Sequence, residues 1–506
     1  MRVLLLNAPH PGIGSRIPDE HLPPLHLLAV GGPLLDAGHE VRLLDADYDP
    51  LTLPQILTQV QAFGPDAILL GHSGSSSGHP IIVEISRALR GLLPGVPLIY
   101  GGVFPTFHWQ NVLTQEPQLD VIVRGEGEAT APRVLKALEL STPLDEIPGI
   151  AFRKEGQPYA TPPAEPIEDL DAFRIGWELV DLSRYTYWGN RRAVVVQFSR
   201  GCPHVCSYCG QRAFWVRWRH RDPRKFAAEI AWLYRTHGVE VFDLADENPT
   251  VSKSVWKEFL EAMIAENIPV TIIGSTRADA IVRDADILHL YKKAGITRWL
   301  LGIENYDEAT LKNIRKGGSP STDRQAIQLL RQHNIISMGT WVVGFAEEAP
   351  RDYLHGLRQL LSYDADQVQI IYATPHRWTP FFELESQRKV IQTDQRLWDY
   401  KHQVLATRHM APWHVMLWVK IIEAIMQLRP RALWRVLAHP DASFRSGMRW
   451  YYLIGRRVWF YEIFHFFFRD QHARNGPRLA EFWPPCAGLR GQVSAEATMA
   501  ETRQSR

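Results

Sequence analysis

Short apolar runs alternate with longer amphipathic stretches along the first 150 positions. MRVLLLN (1–7), VRLLDAD (41–47), DAILLGHS (66–73), PLIYGG (97–102) and VIVRGEGE (121–128) read as strands. HLLAVGGPLLDAGHEV (26–41), LPQILTQVQAFGPD (53–66) and IIVEISRALRGLLPG (81–95) read as helices, the first ending at Ala37-Gly38 with Gly38 as its C-cap. This alternation predicts a doubly wound parallel sheet over residues 1–150. Residues 151–194 read as a linker. Strand-like runs return between 195 and 380: AVVVQF, VEVFDLAD, PVTIIGS, RWLLGIE, ISMGTWVVGF and DQVQIIYAT. Helical stretches such as PRKFAAEIAWLYRTHG and STDRQAIQLLRQHN lie between them. From Phe381 the alternation stops. RLWDYKHQVLATRHMAPWHVMLWVKIIEAIMQLRPRALWRVL (396–437) and SGMRWYYLIGRRVWFYEIFHFFFRD (446–470) are helical in period, so 381–487 reads as a mainly α-helical domain and 488–506 as a disordered tail.

In doubly wound sheets, ligands bind beyond the carboxyl ends of the strands. Those ends are Asn7-Ala8-Pro9, the stretch from His72 through Ser73, Gly74, Ser75, Ser76 and Ser77 to Gly78, then Gly101-Gly102-Val103, and Arg124-Gly125-Glu126-Gly127-Glu128. Their glycines and serines let backbone approach a large ligand closely. No G-x-G-x-x-G follows the first strand, which argues against a nicotinamide or flavin cofactor.

Composition removes several function classes. Lys plus Arg number 56 and Asp plus Glu 55, so no bulk field favours nucleic acid or an anionic surface. No apolar run reaches the roughly 18 residues of a membrane span, and the first apolar run is too short for a cleaved leader. A cytoplasmic protein is the expectation. The 17 Trp residues, most of them after Arg200, suit either a large flat apolar ligand or a membrane-facing surface. The C-terminal helices, where Trp, Arg and Lys interleave with apolar residues, would either lie on a membrane or cover the open side of a barrel.

Only four cysteines occur, and three fall within SRGCPHVCSYCGQ (199–211): Cys202, Cys206 and Cys209. The fourth, Cys486, reads as a free thiol. Three thiolates at C-x₃-C-x₂-C make a poor structural zinc site, because such sites are closed by four ligands and His204 is awkwardly spaced to be the fourth. Three ligands on a four-iron cluster would leave one iron open to a small molecule. The spacing, with Tyr208 before the last cysteine, resembles the radical S-adenosylmethionine (SAM) superfamily signature. That resemblance implies a [4Fe-4S] cluster on Cys202, Cys206 and Cys209, SAM on its open iron, reductive cleavage to a 5′-deoxyadenosyl radical, and an external flavodoxin or ferredoxin as electron donor. It also implies that the six strand-like runs form a partial (β/α)₆ barrel with its site at the strand C-termini. By the same resemblance Tyr208, Asp246, Glu247, Asn248, Arg277 and Glu304 would hold SAM. Asp246, Glu247 and Asn248 stand where the family binds the amino group, Arg277 would pair with the carboxylate, and Glu304 would contact the ribose.

The first domain resembles the flavodoxin-like cobalamin-binding domain that precedes one group of radical SAM barrels. Pro23-Pro24-Leu25, the serine-rich loop 73–77, Gly101-Gly102 and Val123–Glu128 carry the likeness. It implies cobalamin contacts from Ser73, Gly74, Ser75, Ser76, Gly101, Gly102, Val103, Gly125 and Glu126. The D-x-H-x-x-G motif, which in the methionine-synthase type places a histidine on cobalt, is absent. The domain order, with ATPHRWTPFF (373–382) and WDYKHQVL (398–405), resembles the anaerobic magnesium-protoporphyrin IX monomethyl ester oxidative cyclases of bacteriochlorophyll synthesis. That implies a porphyrin substrate, for which Trp341, His376, Trp378, Trp398, Tyr400 and Trp413 are the pocket candidates, and a ketone oxygen drawn from water. A cobalamin-dependent radical methyltransferase and a non-enzymatic cobalamin carrier are the two rival readings.

Overall fold

The computed structural model describes residues 1–9, 20–48, 50–72, 76–211 and 213–483. Two seven-stranded sheets organise them. In the first, the strands run Glu40–Asp45, Arg2–Asn7, Ala67–Gly71, Leu98–Gly101, Val121–Val123, Ile150–Lys154 and Gln157–Ala160 across the sheet. The first five are parallel and the last two antiparallel. Helices cover both faces, so Leu4, Leu6, Ile68 and Leu70 pack into one apolar layer while Val3, Leu5, Ala67 and Leu69 pack into the other. This is why the strands read as unbroken apolar runs. Local chemistry sets the helix ends. Helix Leu53–Phe63 starts in a Thr52/Gln55 capping box and stops at Gly64, whose φ is +61°.

Two expectations shift here. The sheet does not end at 150, because Ile150–Lys154 pairs with Val121–Val123, Phe152 opposite Val121, and buries Ile150 and Ala151. The first unit therefore runs to Ala160, and the linker shortens accordingly. Helices Val103–Gln115 and Thr130–Leu140, which the apolar pattern does not announce, complete the layers.

The second sheet is the partial barrel. Its parallel strands are Arg191–Val196, Val241–Leu244, Thr271–Thr276, Ile296–Glu304, Ile336–Val343 and Gln367–Tyr372, in spatial order, with the short Thr186–Tyr187 antiparallel at one edge. Side chains alternate between its faces. Val194, Val196, Phe242, Leu244, Trp299 and Leu301 pack outward under the helices. Val195, Gln197, Asp243, Ala245, Arg298 and Leu300 face an open lumen. One end of the lumen is plugged by Trp188, Val241, Ile273 and Ile336 against Phe444, Met448 and Trp450. Gly447 permits that plug, since a Cβ there would lie 2.6 Å from the Trp188 ring.

The C-terminal region holds helices Pro412–Leu428, Pro430–Leu437 and Ala442–Phe468. The expected helix does not begin at 396. Only the single turn Gln395–Leu397 forms, and the chain then runs irregularly to Ala411. Tertiary pairing wins there: Ile391 N–H donates to Val404 O, Ala406 N–H to Lys389 O, and Tyr372 N–H at the barrel edge to Tyr400 O. The long helix Ala442–Phe468 is capped by Asp441, which accepts from Phe444 N–H at 2.9 Å. One of its faces, through Tyr451, Ile454, Val458 and Glu462, closes a side of the lumen.

Candidate active site

The three cysteines lie in the loop after the first barrel strand. Ser199–Arg200 pairs antiparallel with Arg219–His220, pinching the loop at its base. Gly201 sits at φ +88°, and a Cβ would lie 2.4 Å from the Arg217 carbonyl oxygen, so glycine is required at this turn. Ser207 N–H donates to Ile314 O at 2.9 Å, Phe381 N–H to Ser207 O at 3.0 Å, and Trp378 Nε1–H to Gly210 O at 2.7 Å. The loop is thus fixed from three directions before any ligand is considered.

Cys202, Cys206 and Cys209 are free thiols, Cys206 buried and the others partly so. Burial pushes the Cys202 thiol up and the Cys209 thiol up to about 11. Metal binding supplies what deprotonates such thiols, and two cations stand by: Arg277 acts on Cys202 and Cys206, Lys316 on Cys206. Among the described residues no three His, Cys, Asp or Glu side chains converge on a single ion. Three soft thiolates beside two cations fit a [4Fe-4S] cluster, whose bulk separates its ligands.

Of the residues expected around SAM, one offers a free buried acceptor. Glu247 Oε2 is buried without a hydrogen-bond partner. Glu247 also lines the main cavity and lies within electrostatic reach of Cys202 and Cys209. An orphaned carboxylate oxygen there fits an ammonium group. Asp246 is engaged by the strand end, accepting from Phe198 N–H at 3.0 Å and from Ser199 N–H and Oγ–H at 2.5 and 2.6 Å; burial raises its carboxyl to about 7. Asn248 Oδ1 accepts from Thr250, and its carbonyl from Trp218. Arg277 donates to Lys316 O, Gly317 O and Asp279. Glu304, at φ +67°, accepts from Lys316 Nζ at 3.0 Å. The Tyr208 hydroxyl faces Glu304, and burial together with that carboxylate pushes the phenol well above its usual range. Tyr208, Arg277 and Glu304 therefore gather around Lys316, which sequence reasoning missed because it lies on a connecting loop rather than at a strand end.

A cavity of about 740 Å³ joins the two sheets. Gly101, Gly102, Val103, Gly125 and Glu126 line it from the first domain, and the barrel lumen continues it. Gly102 and Gly125 sit at φ +115° and +81°, and a Cβ on either would project into open space, as a cradle for a broad ligand requires. Glu126 is also a brace: its carboxylate takes Arg200 at 2.7 Å, Arg219 at 2.8 Å and Ile167 N–H at 2.8 Å. Ser73, Gly74 and Ser75 lie outside the described residues. Ser76 turns away from the cavity and pairs its Oγ with His376 Nδ1 at 3.0 Å. His26 lines the same cavity with its side chain open to that space, and desolvation there lowers it to about 4, so its imidazole is neutral. It stands on a helix start, where the strand-end search did not look.

The aromatic pocket expected from sequence is a different set of residues. Trp341 packs on Tyr353 and lines a separate cavity of about 320 Å³ with Phe345 and Phe381. Trp378 stacks on Phe107 at 5.2 Å, and Trp398 is wholly buried in its own apolar cluster. His376 bridges Ser76 and the Tyr400 hydroxyl, the latter at 2.5 Å, and Trp413 is 54% exposed. The Phe, Tyr and Trp rings lining the main cavity are Tyr48, Tyr187, Phe214, Trp215, Trp450, Tyr451 and Trp459. Trp341, Trp378 and Trp398 serve as core and inter-domain contacts.

Two family models match the chain: a B12 binding domain over residues 18–135 and the Radical SAM superfamily over 196–355. The anaerobic magnesium-protoporphyrin IX monomethyl ester cyclase of Synechocystis sp. is 61% identical over 96% of this chain and 97% of its own length. The chain belongs to this cyclase family. The Rubrivivax gelatinosus cyclase is 30% identical over 76% of this chain and 70% of that protein. The hopanoid C-3 methylase of Methylococcus capsulatus, at 28% identity over 77% of this chain and 74% of that protein, shows that methylases share the ancestry. The fold matches the radical SAM methyltransferase TsrM from Kitasatospora setae, solved with cobalamin and a [4Fe-4S] cluster (TM-score 0.62, 18% identity, 77% of this chain and 76% of that one). It also matches the cobalamin-dependent radical enzyme OxsB (TM-score 0.62, 16% identity, 99% of this chain and 75% of that one). For this cyclase-family chain the cofactors are accordingly cobalamin, a [4Fe-4S] cluster and SAM.

Proposed function

We propose that the chain converts the methyl-esterified propionate of magnesium-protoporphyrin IX monomethyl ester into the isocyclic ring, taking the ketone oxygen from water. The observation that carries this reading is the single cavity shared by the glycine-lined strand ends, the cluster loop and the barrel lumen. A corrinoid, SAM and a flat macrocycle would meet in this one cavity. The whole-length relative supplies the substrate class.

When bound, the cluster with SAM supplies a hydrogen-abstracting radical, and cobalamin a second redox centre. The protein's own contribution is positional. Arg277 and Lys316 offset the charge of the thiolate loop. Glu247 offers its free oxygen to the SAM amino group, and Glu304 with Tyr208 faces the rest of SAM. Phe214 and Trp215, on the cluster loop, and Trp459 opposite give the macrocycle apolar faces. Ring formation needs three successive two-electron oxidations: hydroxylation by water, oxidation to the ketone, and closure onto the meso carbon. One SAM per oxidation would serve as the two-electron oxidant, ending as deoxyadenosine and methionine, with a flavodoxin or ferredoxin supplying the electron that primes the cluster.

Anaerobic turnover in heavy-oxygen water tests this. The product should carry the new ring and one labelled oxygen, with deoxyadenosine and methionine released. A product heavier by one methylene, with S-adenosylhomocysteine, would instead establish a methyltransferase.

The C-terminal helices also favour contact with an anionic membrane surface. No helix among the described residues is long and apolar enough to cross a membrane. Leu453, Phe460, Phe464 and Phe467 nevertheless form an exposed stripe on helix Ala442–Phe468, interleaved with exposed Arg449, Arg456 and Arg457. Trp413, Leu417, Ile421, Ile425 and Leu428 form a second one on helix Pro412–Leu428. The acidic residues of this region, Glu423, Asp441 and Glu462, are all paired with lysines. Apolar stripes flanked by exposed arginines suit an interfacial helix. The same long helix therefore presents one face to the lumen and the other to lipid.

A further inference from the structure

Three cationic side chains line the main cavity: Arg200, Arg298 and Lys401. Arg200 is paired with Glu126 and Glu128, and Lys401 with Glu462. Arg298 has no such partner among the described residues. It is only 8% exposed, its Nε has no hydrogen-bond partner, and the face of Trp188 backs its guanidinium at 4.9 Å.

The strand dictates this placement. Trp299 and Leu301 pack outward under the helices, so Arg298 points into the lumen. The register sets Asp243, Ile273 and Arg298 in one row across three strands, directly beside the aromatic plug. Asp243 acts on this guanidinium without forming an ion pair with it, and burying a guanidinium so weakly compensated is expensive, because Arg cannot relieve the cost by losing its proton. A fold that keeps one in a large cavity has left room for the anion that completes it.

We propose that Arg298 receives the free propionate carboxylate of the tetrapyrrole and so decides which of its two propionate chains is presented for reaction. This rests on the cyclase reading above. The substrate carries one methyl ester, which is neutral, and one free carboxylate, which matches the planar guanidinium fork. The Tyr187 phenol lies beside Arg298 as a second donor. Asp243, in the same row, also faces the cavity; burial holds its carboxyl up to about 6, so it can take a proton when a second carboxylate arrives. The paired Arg200 and Lys401 need no ligand to balance them.

The test compares magnesium-protoporphyrin monomethyl ester with its dimethyl ester on the full-length protein loaded with its cofactors. Binding is read anaerobically by tryptophan quenching, and turnover is measured in parallel. Wild type should favour the monoester by at least about tenfold. Arg298→Gln should bind both esters alike, with the loss appearing in KM more than in kcat. Arg298→Lys, which keeps the charge but not the fork, should retain part of the preference. Asp243→Asn should tighten monoester binding. Full preference in Arg298→Gln overturns the proposal while leaving the cyclase reading intact. If Arg298→Gln fails to fold, equal binding of both esters by wild type overturns it as well. Failure of wild type to bind either porphyrin overturns the substrate reading itself, and the proposal with it.

Discussion

Glu126 of the first domain and Arg200 of the barrel are joined at 2.7 Å. Glu128 pairs with the same guanidinium, and Arg219 closes on Glu126 at 2.8 Å. Arg200 stands two residues before Cys202, so the turn that lines the cobalamin cradle also holds the base of the cluster loop. Removing one partner of a buried pair costs about 3–5 kcal/mol, because the other is left uncompensated. Glu126→Gln should therefore lower the denaturant midpoint and also loosen iron retention. A variant with full iron content and unchanged deoxyadenosine formation would show that the domains are not coupled through this pair.

The free oxygen of Glu247 predicts a selective loss. Glu247→Gln should weaken SAM binding by about 10–100-fold, the range of one charge-assisted hydrogen bond, with iron content unchanged. Equilibrium dialysis on reconstituted protein measures it. Alanine at Cys202, Cys206 or Cys209 should instead abolish the cluster and deoxyadenosine together. Cys486, outside the described residues, should be dispensable by both measures.

Gly102 predicts a loss confined to the corrinoid. Its φ of +115° disfavours any side chain, and a Cβ would enter the cavity rather than the core. Gly102→Val should reduce cobalamin retained after desalting by about tenfold or more, while the barrel keeps its iron. Equal loss of both cofactors would indicate that the first domain has unfolded.

The exposed stripe on the last long helix predicts vesicle binding. The protein should float with phosphatidylglycerol vesicles and be released by salt. Phe460→Asp with Phe464→Asp should abolish flotation without changing cobalamin content. Wild type remaining in the aqueous fraction at low salt would dismiss the membrane contact.

Much of this architecture is written locally. A parallel strand covered on both faces must be apolar at nearly every position, so RVLLLN and DAILLG declare themselves. The cluster loop is equally plain, because three thiolates at that spacing have few uses. What escaped was set by distant partners. Residues 398–411 have a helical period, yet they pair with 389–391 instead. Trp341 and Trp378 look like ligand platforms but fill gaps between layers, whereas Trp215, Trp450 and Trp459 face the cavity. Nothing in the local sequence separates these two sets, since only the register of the barrel and the docking of the last helix decide which ring meets open space. Arg298 was hidden for the same reason, being one cation in an apolar run until its neighbours show that no ion pair holds it.

The plug that closes the lumen has a consequence for how the enzyme comes into being. Phe444, Met448 and Trp450 leave the ribosome after both sheets, and Trp450 reaches back to Glu20 at 2.8 Å. Domains fold from the N-terminus during synthesis, so the nascent chain passes through a stage in which the chamber is shaped but unsealed. The wall that the last helix supplies is therefore the final part of the chamber to be made.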